Sequence, residues 1–206
     1  MRITDSAERS ATLGANTEDQ ELQWVVEAQK GDRVAFNRLV LRWQQPIYNL
    51  TLRMLRDPED ASEVTQETFM AAFRHIRRFR LESKFSTWIY RIASNHCLTR
   101  LRKQPRKAPR SLDEPGHAGP LSSKLTAGDS QQEKSLLRRE RRQWVRRALG
   151  GLPPEQRMAI ELKVFQDLTF EEISAVTEIP MSTVKSRFYA GLQGLKQRLQ
   201  ACGMGD

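Results

Sequence analysis

Apolar residues return every three or four positions from Phe36 to Met54: Phe36, Leu39, Val40, Trp43, Ile47, Leu50 and Met54. This is the stripe of an amphipathic helix, or of two joined near Pro46, whose ring removes a backbone donor. The helical pattern begins at Glu21, and Gly31-Asp32 marks the turn before the stripe. Asp57-Pro58 then breaks the chain, and Pro58 suits the first turn of a helix running to about Arg78, with Phe69, Ala72, Phe73 and Ile76 inward. After a short loop, Ser86 can cap a further helix carrying Trp88, Ile89, Ile92 and Ala93 inward.

Between Gln104 and Gln132 the pattern stops. Pro105, Pro109, Pro115 and Pro120 fall among glycine, serine and charge, which is linker composition. Helical periodicity resumes near Glu133, with Pro153-Pro154 separating the first helix of this block from the next. No alternating run of strand length is present, so the fold class is all-α, with two small helical domains joined by a flexible linker. The expected division is a loose tail over 1–19, a first domain over 20–103, a linker over 104–132, a second domain over 133–200 and a short tail over 201–206.

The second block holds a sharper pattern. Thr169-Phe170-Glu171-Glu172 has the form of a capping box, in which a threonine oxygen and a glutamate three residues on satisfy each other's backbone donors. Ile173 and Val176 face inward, the chain turns through Thr177-Glu178-Ile179, and Pro180 with Ser182 opens another helix. There Val184, Phe188, Leu192, Leu195 and Leu199 share one face. The opposite face carries Ser182, Lys185, Ser186, Tyr189 and Gln193, flanked by Thr183 and Arg187. Two capped helices at short spacing, with no acidic residue from Pro180 to Gln200, describe a helix-turn-helix whose second helix suits the major groove.

Charge adds a partner class. The chain of 206 residues has a formal net charge of +9, which favours a polyanion. No apolar run approaches the length of a spanning helix and the polar N-terminus has no apolar signal core, so neither membrane insertion nor secretion is expected, and the chain reads as cytoplasmic. Cys97 and Cys202 lie far apart, and His75, His96 and His117 are scattered, so no disulfide, metal site or cofactor is expected and Cys97 reads as a reduced helical thiol. The charge is also unevenly spread. Asp57, Glu59, Asp60, Glu63 and Glu67 form an acidic run without lysine or arginine, and Asp60, Glu63 and Glu67 share a helix face on which a cationic protein surface could dock. The helix dipole explains Asp57 to Asp60 but does not reach Glu63 and Glu67. From Arg74 to Arg110, twelve basic residues oppose the single Glu82, interleaved with Phe79, Phe85, Trp88 and Tyr90, as in sites that stack unpaired bases. Most of these rings are expected in the core.

Together these segments resemble the group IV, or extracytoplasmic-function, sigma factors of bacterial RNA polymerase, RpoE-like in type. Gly31-Asp32 with Ala35-Phe36, the run Asp60 to Phe69, and Phe79-Arg80 through Phe85 to Ala93 are similar to region 2 of that family. Leu152 to Arg157, Thr169 to Ser174 and Thr183 to Arg187 are similar to region 4. The resemblance implies that Asp60, Glu63, Gln66 and Glu67 dock on the clamp of the polymerase largest subunit, with the flap as a further contact. It implies that Arg80, Glu82, Ser83, Lys84 and Phe85 of one loop, with Trp88, Arg91, Asn95 and Arg102 on the helix behind it, bind the −10 element as single strand. Phe79 and Phe85 could wall a pocket for an extruded base. Arg157, Thr169, Thr183, Lys185, Ser186, Arg187 and Tyr189 would serve the −35 element, the linker would thread the RNA channel of polymerase, and an anti-sigma factor, tethered at the inner membrane, would hold the protein inactive until an envelope or other stress. Ala190 and Glu178 depart from common family choices, which touches promoter sequence and leaves the class intact.

Two other readings compete. A conventional helix-turn-helix regulator explains the second domain and leaves the acidic stripe and basic aromatic block without a purpose. A nuclease built on paired carboxylates would need a convergent histidine or a second acidic motif, and neither is present, so no catalytic residue is assigned.

Overall fold

A computed structural model describes residues 19–103, 141 and 143–201. The tail expected over 1–18, the linker over 104–132 and the end over 202–206 lie outside the described residues, as does most of 133–142. All regular structure among the described residues is helical.

The first body contains α1 (19–29), α2 (Arg33–Leu55), α3 (Pro58–His75, continued by a 3₁₀ turn Ile76–Arg78) and α4 (Phe85–Lys103). Residue 19, expected in the tail, already belongs to α1. Gly31 takes φ 101° in the turn after α1, a backbone conformation only glycine adopts without strain. Asp32 then caps α2, its carboxylate accepting from the backbone N–H of Val34 and Ala35. Pro46 sits inside α2, so the stripe is one helix and not two. Asp57 caps α3 in the same way, and Pro58 occupies the first turn, where its missing N–H has no intrahelical partner to lose. The third start differs from expectation: α4 begins at Phe85, so Ser86 lies within its first turn and Lys84 precedes it.

The core of this body is built from Leu39, Ile47, Leu50, Met54, Val64, Ala72, Ile89 and Ala93, with Val25 and Ala28 of α1 closing one side. Phe73, expected inward, is 48% exposed. Ile76 and Phe69 fill the inner face of α3, and Phe73 points past them, edge-on to Phe36 at 5.0 Å.

The second body contains α5 (143–150), α6 (Pro154–Ile160), a π-helical turn Glu161–Phe165, α7 (Phe170–Thr177) and α8 (Met181–Ala201). The capping box is present: Thr169 Oγ1 accepts from Glu172 N at 3.1 Å and Glu172 accepts from Thr169 N at 2.8 Å. Glu178 takes φ 55° at the turn and Ser174 donates to the Ile179 carbonyl at 2.6 Å, fixing the helix-turn-helix angle. Ile173, Val176 and Val184 are buried, as the periodicity requires. Leu192 is 37% exposed, and its neighbour Gly191 takes the inward place. A Cβ on Gly191 would come within 2.9 Å of Ile160 Cδ1, so α6 and α8 approach more closely there than leucine allows.

Candidate nucleic-acid and partner interfaces

α3 presents two adjoining surfaces. Asp60, Glu63 and Glu67 stand in a row, and Arg100 of α4 reaches across to all three, with Nη1 2.8 Å from Asp60 Oδ1 and 2.9 Å from Glu63 Oε2, and Nη2 3.5 Å from Glu67 Oε1. His96 Nδ1 lies 3.1 Å from the other oxygen of Glu67. Hydrogen bonding and charge from Arg100 hold the Glu63 carboxyl below its ordinary pKa, and Glu63 in turn raises that of Arg100. Arg100, which the sequence places in the basic block, therefore serves the acidic face. Gln66 points to the other side of α3. There it borders an open groove of about 410 Å³ lined by Phe36, Val40, Phe69, Met70 and Phe73, of which Met70 and Phe73 are exposed. The acids meet as the stripe predicts, and the apolar groove beside them is legible only in hindsight, through Phe73 and Met70.

The loop after α3 carries Arg80, Glu82 and Lys84 outward, with Ser83 half-buried. Arg80 and Glu82 pair loosely at 3.9 Å. Phe79 and Phe85 are both buried, and with Trp88 they form a ring cluster at centroid distances of 4.9–6.4 Å. The expectation that Phe79 and Phe85 wall a surface pocket is corrected: apolar burial claims both rings, and Phe85 is a floor under the loop, not a contact on it. The exposed apolar side chain of the loop is instead Leu81, 41% exposed at φ 59°. A leucine in the left-handed region is strained, which marks this loop tip as held by its surroundings. Gln29 of α1 supplies part of that hold, donating from Nε2 to the carbonyls of Ile76 at 3.2 Å and Phe79 at 2.6 Å. Neither Leu81 nor Gln29 is marked in the sequence, since a left-handed leucine and a bond spanning fifty positions leave no local signal.

Behind the loop, Arg91, Asn95 and Arg102 share a face of α4. All three are turned toward the second body, Arg91 half-buried and Asn95 and Arg102 still exposed at its edge. Arg91 is bonded to α7, Arg102 lies 3.6 Å from Glu155, and Asn95 lines the crevice between the bodies.

On α8, Lys185, Ser186 and Tyr189 are exposed, with Thr183 and Arg187 at the flanks. Phe170, Phe188 and Tyr189 pack ring against ring at 5.4–6.4 Å, and Lys185 Nζ stands 5.6 Å above Phe170. The aromatic group fixes the cationic side of the helix against its scaffold. Thr169 is exposed at the start of α7. Arg157 is set apart from this surface: it is 6% exposed, and its Nη1 donates to the Met54 carbonyl of the first body at 2.8 Å.

The Sigma-70 region 2 model matches residues 39–107, and the Sigma-70, region 4 model matches residues 142–195. RNA polymerase sigma-H factor of Pseudomonas aeruginosa is 34% identical over 188 residues, covering 89% of this chain and 96% of that protein. The chain is a member of the extracytoplasmic-function sigma factors. The ECF RNA polymerase sigma-E factor of Escherichia coli K12 is 37% identical over 177 residues, covering 85% and 92%. Among solved structures, CnrH in complex with the cytosolic domain of CnrY has a TM-score of 0.64 at 21% identity, covering 89% of this sigma factor and 99% of that chain. The sigma factor RpoE in complex with the anti-sigma factor NepR from Bartonella quintana has a TM-score of 0.58 at 20% identity, covering 80% and 96%. These two establish the all-α, two-part fold. The region 2 match begins at residue 39, yet Val25, Ala28, Ala35 and Phe36 belong to the same core, so the folded body of this sigma factor extends upstream of it.

Proposed function

We propose that this sigma factor joins core RNA polymerase through the α3 surface, opens the −10 element through the Arg80 to Lys84 loop and α4, and reads the −35 element with α8. Asp60, Glu63 and Glu67 offer a basic clamp surface its charge complement, and the apolar groove beside Gln66 offers it a desolvated anchor. The loop presents donors and acceptors at Arg80, Glu82, Ser83 and Lys84 over an aromatic floor that keeps its base fixed, and Arg91, Asn95 and Arg102 lie in line to follow phosphates. Lys185, Ser186, Arg187 and Tyr189 supply the groove-facing side of α8, with region 4 also meeting the polymerase flap. The carrying observation is that one chain holds an acidic-apolar docking face and a basic recognition helix on separate bodies, where a conventional regulator needs only the second. The protein acts by binding and has no catalytic step of its own. The relatives' names, and the anti-sigma partner named with the Bartonella quintana structure, support control of a cytoplasmic protein by an anti-sigma factor in an envelope or other stress response; tethering of that factor at the inner membrane is part of the proposal and rests on the family resemblance alone.

Run-off transcription with purified core polymerase tests this. Promoter-dependent transcripts that need both the chain and core polymerase are expected. A chain that binds duplex DNA but neither co-purifies with core polymerase nor yields such transcripts is a conventional regulator.

A further inference from the structure

The loop assigned above to the −10 strand takes its direction from α1, a helix that precedes the residues matched by the region 2 model. Gln29 stands in the last turn of α1, and its Nε2 donates to the Ile76 carbonyl at 3.2 Å and to the Phe79 carbonyl at 2.6 Å. An amide nitrogen carries two hydrogens, so both donors are engaged and the side chain spans the 3₁₀ turn that follows α3. The Phe79 carbonyl is the last backbone group before Arg80. With that carbonyl held by Gln29 and the Phe79 ring stacked on Trp88, the chain leaves the core in one direction.

The platform that carries Gln29 is itself rigid. Gly31 N donates to the Ala28 carbonyl at 3.0 Å and Asp32 N to the Glu27 carbonyl at 3.1 Å, the paired bonds that close a helix ending on a positive-φ glycine. Asp32 then caps α2, so the end of α1 and the start of α2 are fixed at one junction. Val25 and Ala28, on the inner side of α1, are buried in the core. The same junction meets the 3₁₀ turn a second time: a Cβ on Gly31 would lie 3.3 Å from Arg77 Nη2, so the Arg77 guanidinium rests over the α1–α2 turn. Two contacts thus grip residues 76–79, immediately ahead of the loop, and the buried ring of Phe85 holds its far end. Between them Leu81 keeps φ 59°, a conformation that persists in a leucine only where the surroundings impose it.

We propose that Gln29 is a specificity-determining positioning residue for the −10 element: by donating from α1 to the Ile76 and Phe79 carbonyls it fixes the geometry in which the Arg80 to Lys84 loop meets the opened strand. The inference rests on the reading that this loop contacts the −10 strand. Gln29 acts through the loop backbone and not by contact with DNA. A loop already in its binding geometry loses little conformational freedom when it meets the strand, and a loop confined to one geometry rejects a wrong base that a mobile loop would accommodate. Loosening the anchor therefore lowers discrimination among −10 bases. A glutamine that merely tied α1 to α3 would change stability and nothing else.

The test uses holoenzyme reconstituted from the full chain and core RNA polymerase. Gln29→Glu keeps the side-chain length and sets oxygens against the two carbonyls, and Gln29→Ala removes the donors without adding charge. Val25→Ala, a cavity one turn earlier in the same helix, is the stability control. Hydrogen exchange of the 80–84 amides reports the loop, and run-off transcription from promoters differing only in one −10 base reports preference. Both Gln29 variants are expected to exchange faster at 80–84 and to lose discrimination by roughly threefold to tenfold, the range of one or two hydrogen bonds, while Val25→Ala stays within about twofold of the parent. Co-elution with core polymerase and binding to −35 duplexes should be the same in all. An unchanged −10 ranking in both Gln29 variants, or an equal change in Val25→Ala, overturns the inference. Arg80→Ala with Lys84→Ala is the separate arm. If that pair leaves the −10 ranking unchanged, the loop does not contact the strand and the inference falls with that reading; if it changes the ranking and the Gln29 variants do not, the positioning role alone is removed.

Discussion

Phe79 and Trp88 stack with ring centroids 4.9 Å apart and planes inclined by 23°, closing the core beneath the 80–84 loop. Phe85 adds tilted and edge contacts to the pair, so the loop is carried on three rings contributed from both its ends. Removing one leaves a cavity that the other two cannot collapse to fill. Phe79→Ala or Phe85→Ala is expected to lower the unfolding free energy by about 3–5 kcal/mol, read as an earlier midpoint in urea at unchanged slope.

Leu81 should behave in the opposite way. It is exposed and holds a left-handed backbone conformation that costs a leucine energy and a glycine almost none. Leu81→Gly is therefore expected to leave stability unchanged or raise it by up to about 1 kcal/mol, while reducing permanganate-detected melting of the −10 element. Unimpaired melting would show that Leu81 makes no contact with the opened strand.

The contrast between these residues shows what the sequence can carry. Periodicity, Asp57-Pro58 and the Thr169 to Glu172 box are local signals, and α2, α3, α6, α7 and α8 start where they predict, whereas α1 starts two residues before Glu21 and α4 one before Ser86. Phe73 and Leu192 turn outward because three-four spacing marks a sector about a quarter-turn wide, and which residue at its edge is covered depends on the neighbouring helix. Gly191 is inward because α6 comes close, which no property of α8 announces. Arg100 is drawn to three carboxylates about forty positions away and Arg157 to a carbonyl a hundred positions away. Such partners are set by topology, so charge counts alone placed the first on the nucleic-acid face and the family resemblance placed the second there.

Arg100 opposes three carboxylates with one guanidinium, so the α3 face keeps an acidic excess held in one arrangement. Glu63→Lys places a second cation 3 Å or so from Arg100 in a row meant for a basic surface, and like charges there oppose docking. The variant should remain helical by circular dichroism and fail to co-elute with core polymerase. The pairing also has a pH signature. The Glu63 pKa is depressed in the folded protein, so its contribution is present above the ordinary carboxylate value of 4.5 and is lost as pH falls through the folded value. In Arg100→Gln the Glu63 carboxyl, followed by NMR, should titrate close to 4.5.

Cys97 lies in the core face of α4, where burial raises its thiol pKa from 9.0 to about 12. A thiol raised in this way favours the folded state fully below 9.0, and that contribution fades as pH rises toward 12. In a Cys202→Ser background, iodoacetamide at pH 9 should leave native Cys97 unmodified and label it in urea, where half of an unfolded thiol population is ionised. Rapid labelling of the native protein would mean that α4 opens locally or that the thiol is not enclosed.

Lys185 and Ser186 stand side by side on the exposed face of α8, yet they are not equivalent. Lys185 Nζ rests above Phe170 with its charge free to meet a phosphate or a guanine edge, whereas Ser186 Oγ donates to the Thr183 carbonyl of its own helix at 3.0 Å. A hydroxyl committed to the helix still has lone pairs to accept with, so it can discriminate between bases while contributing little electrostatic attraction. Lys185→Ala should therefore weaken binding to all −35 duplexes and reduce the slope of log K against log salt by about one. Ser186→Ala should leave that slope unchanged and alter the ranking among −35 variants, each mismatch costing about 1–3 kcal/mol in the parent. Fluorescence anisotropy over a salt series separates the two effects. If both variants matched the parent in slope and in ranking, α8 would not be the reading helix, and region 4 would meet DNA through another face.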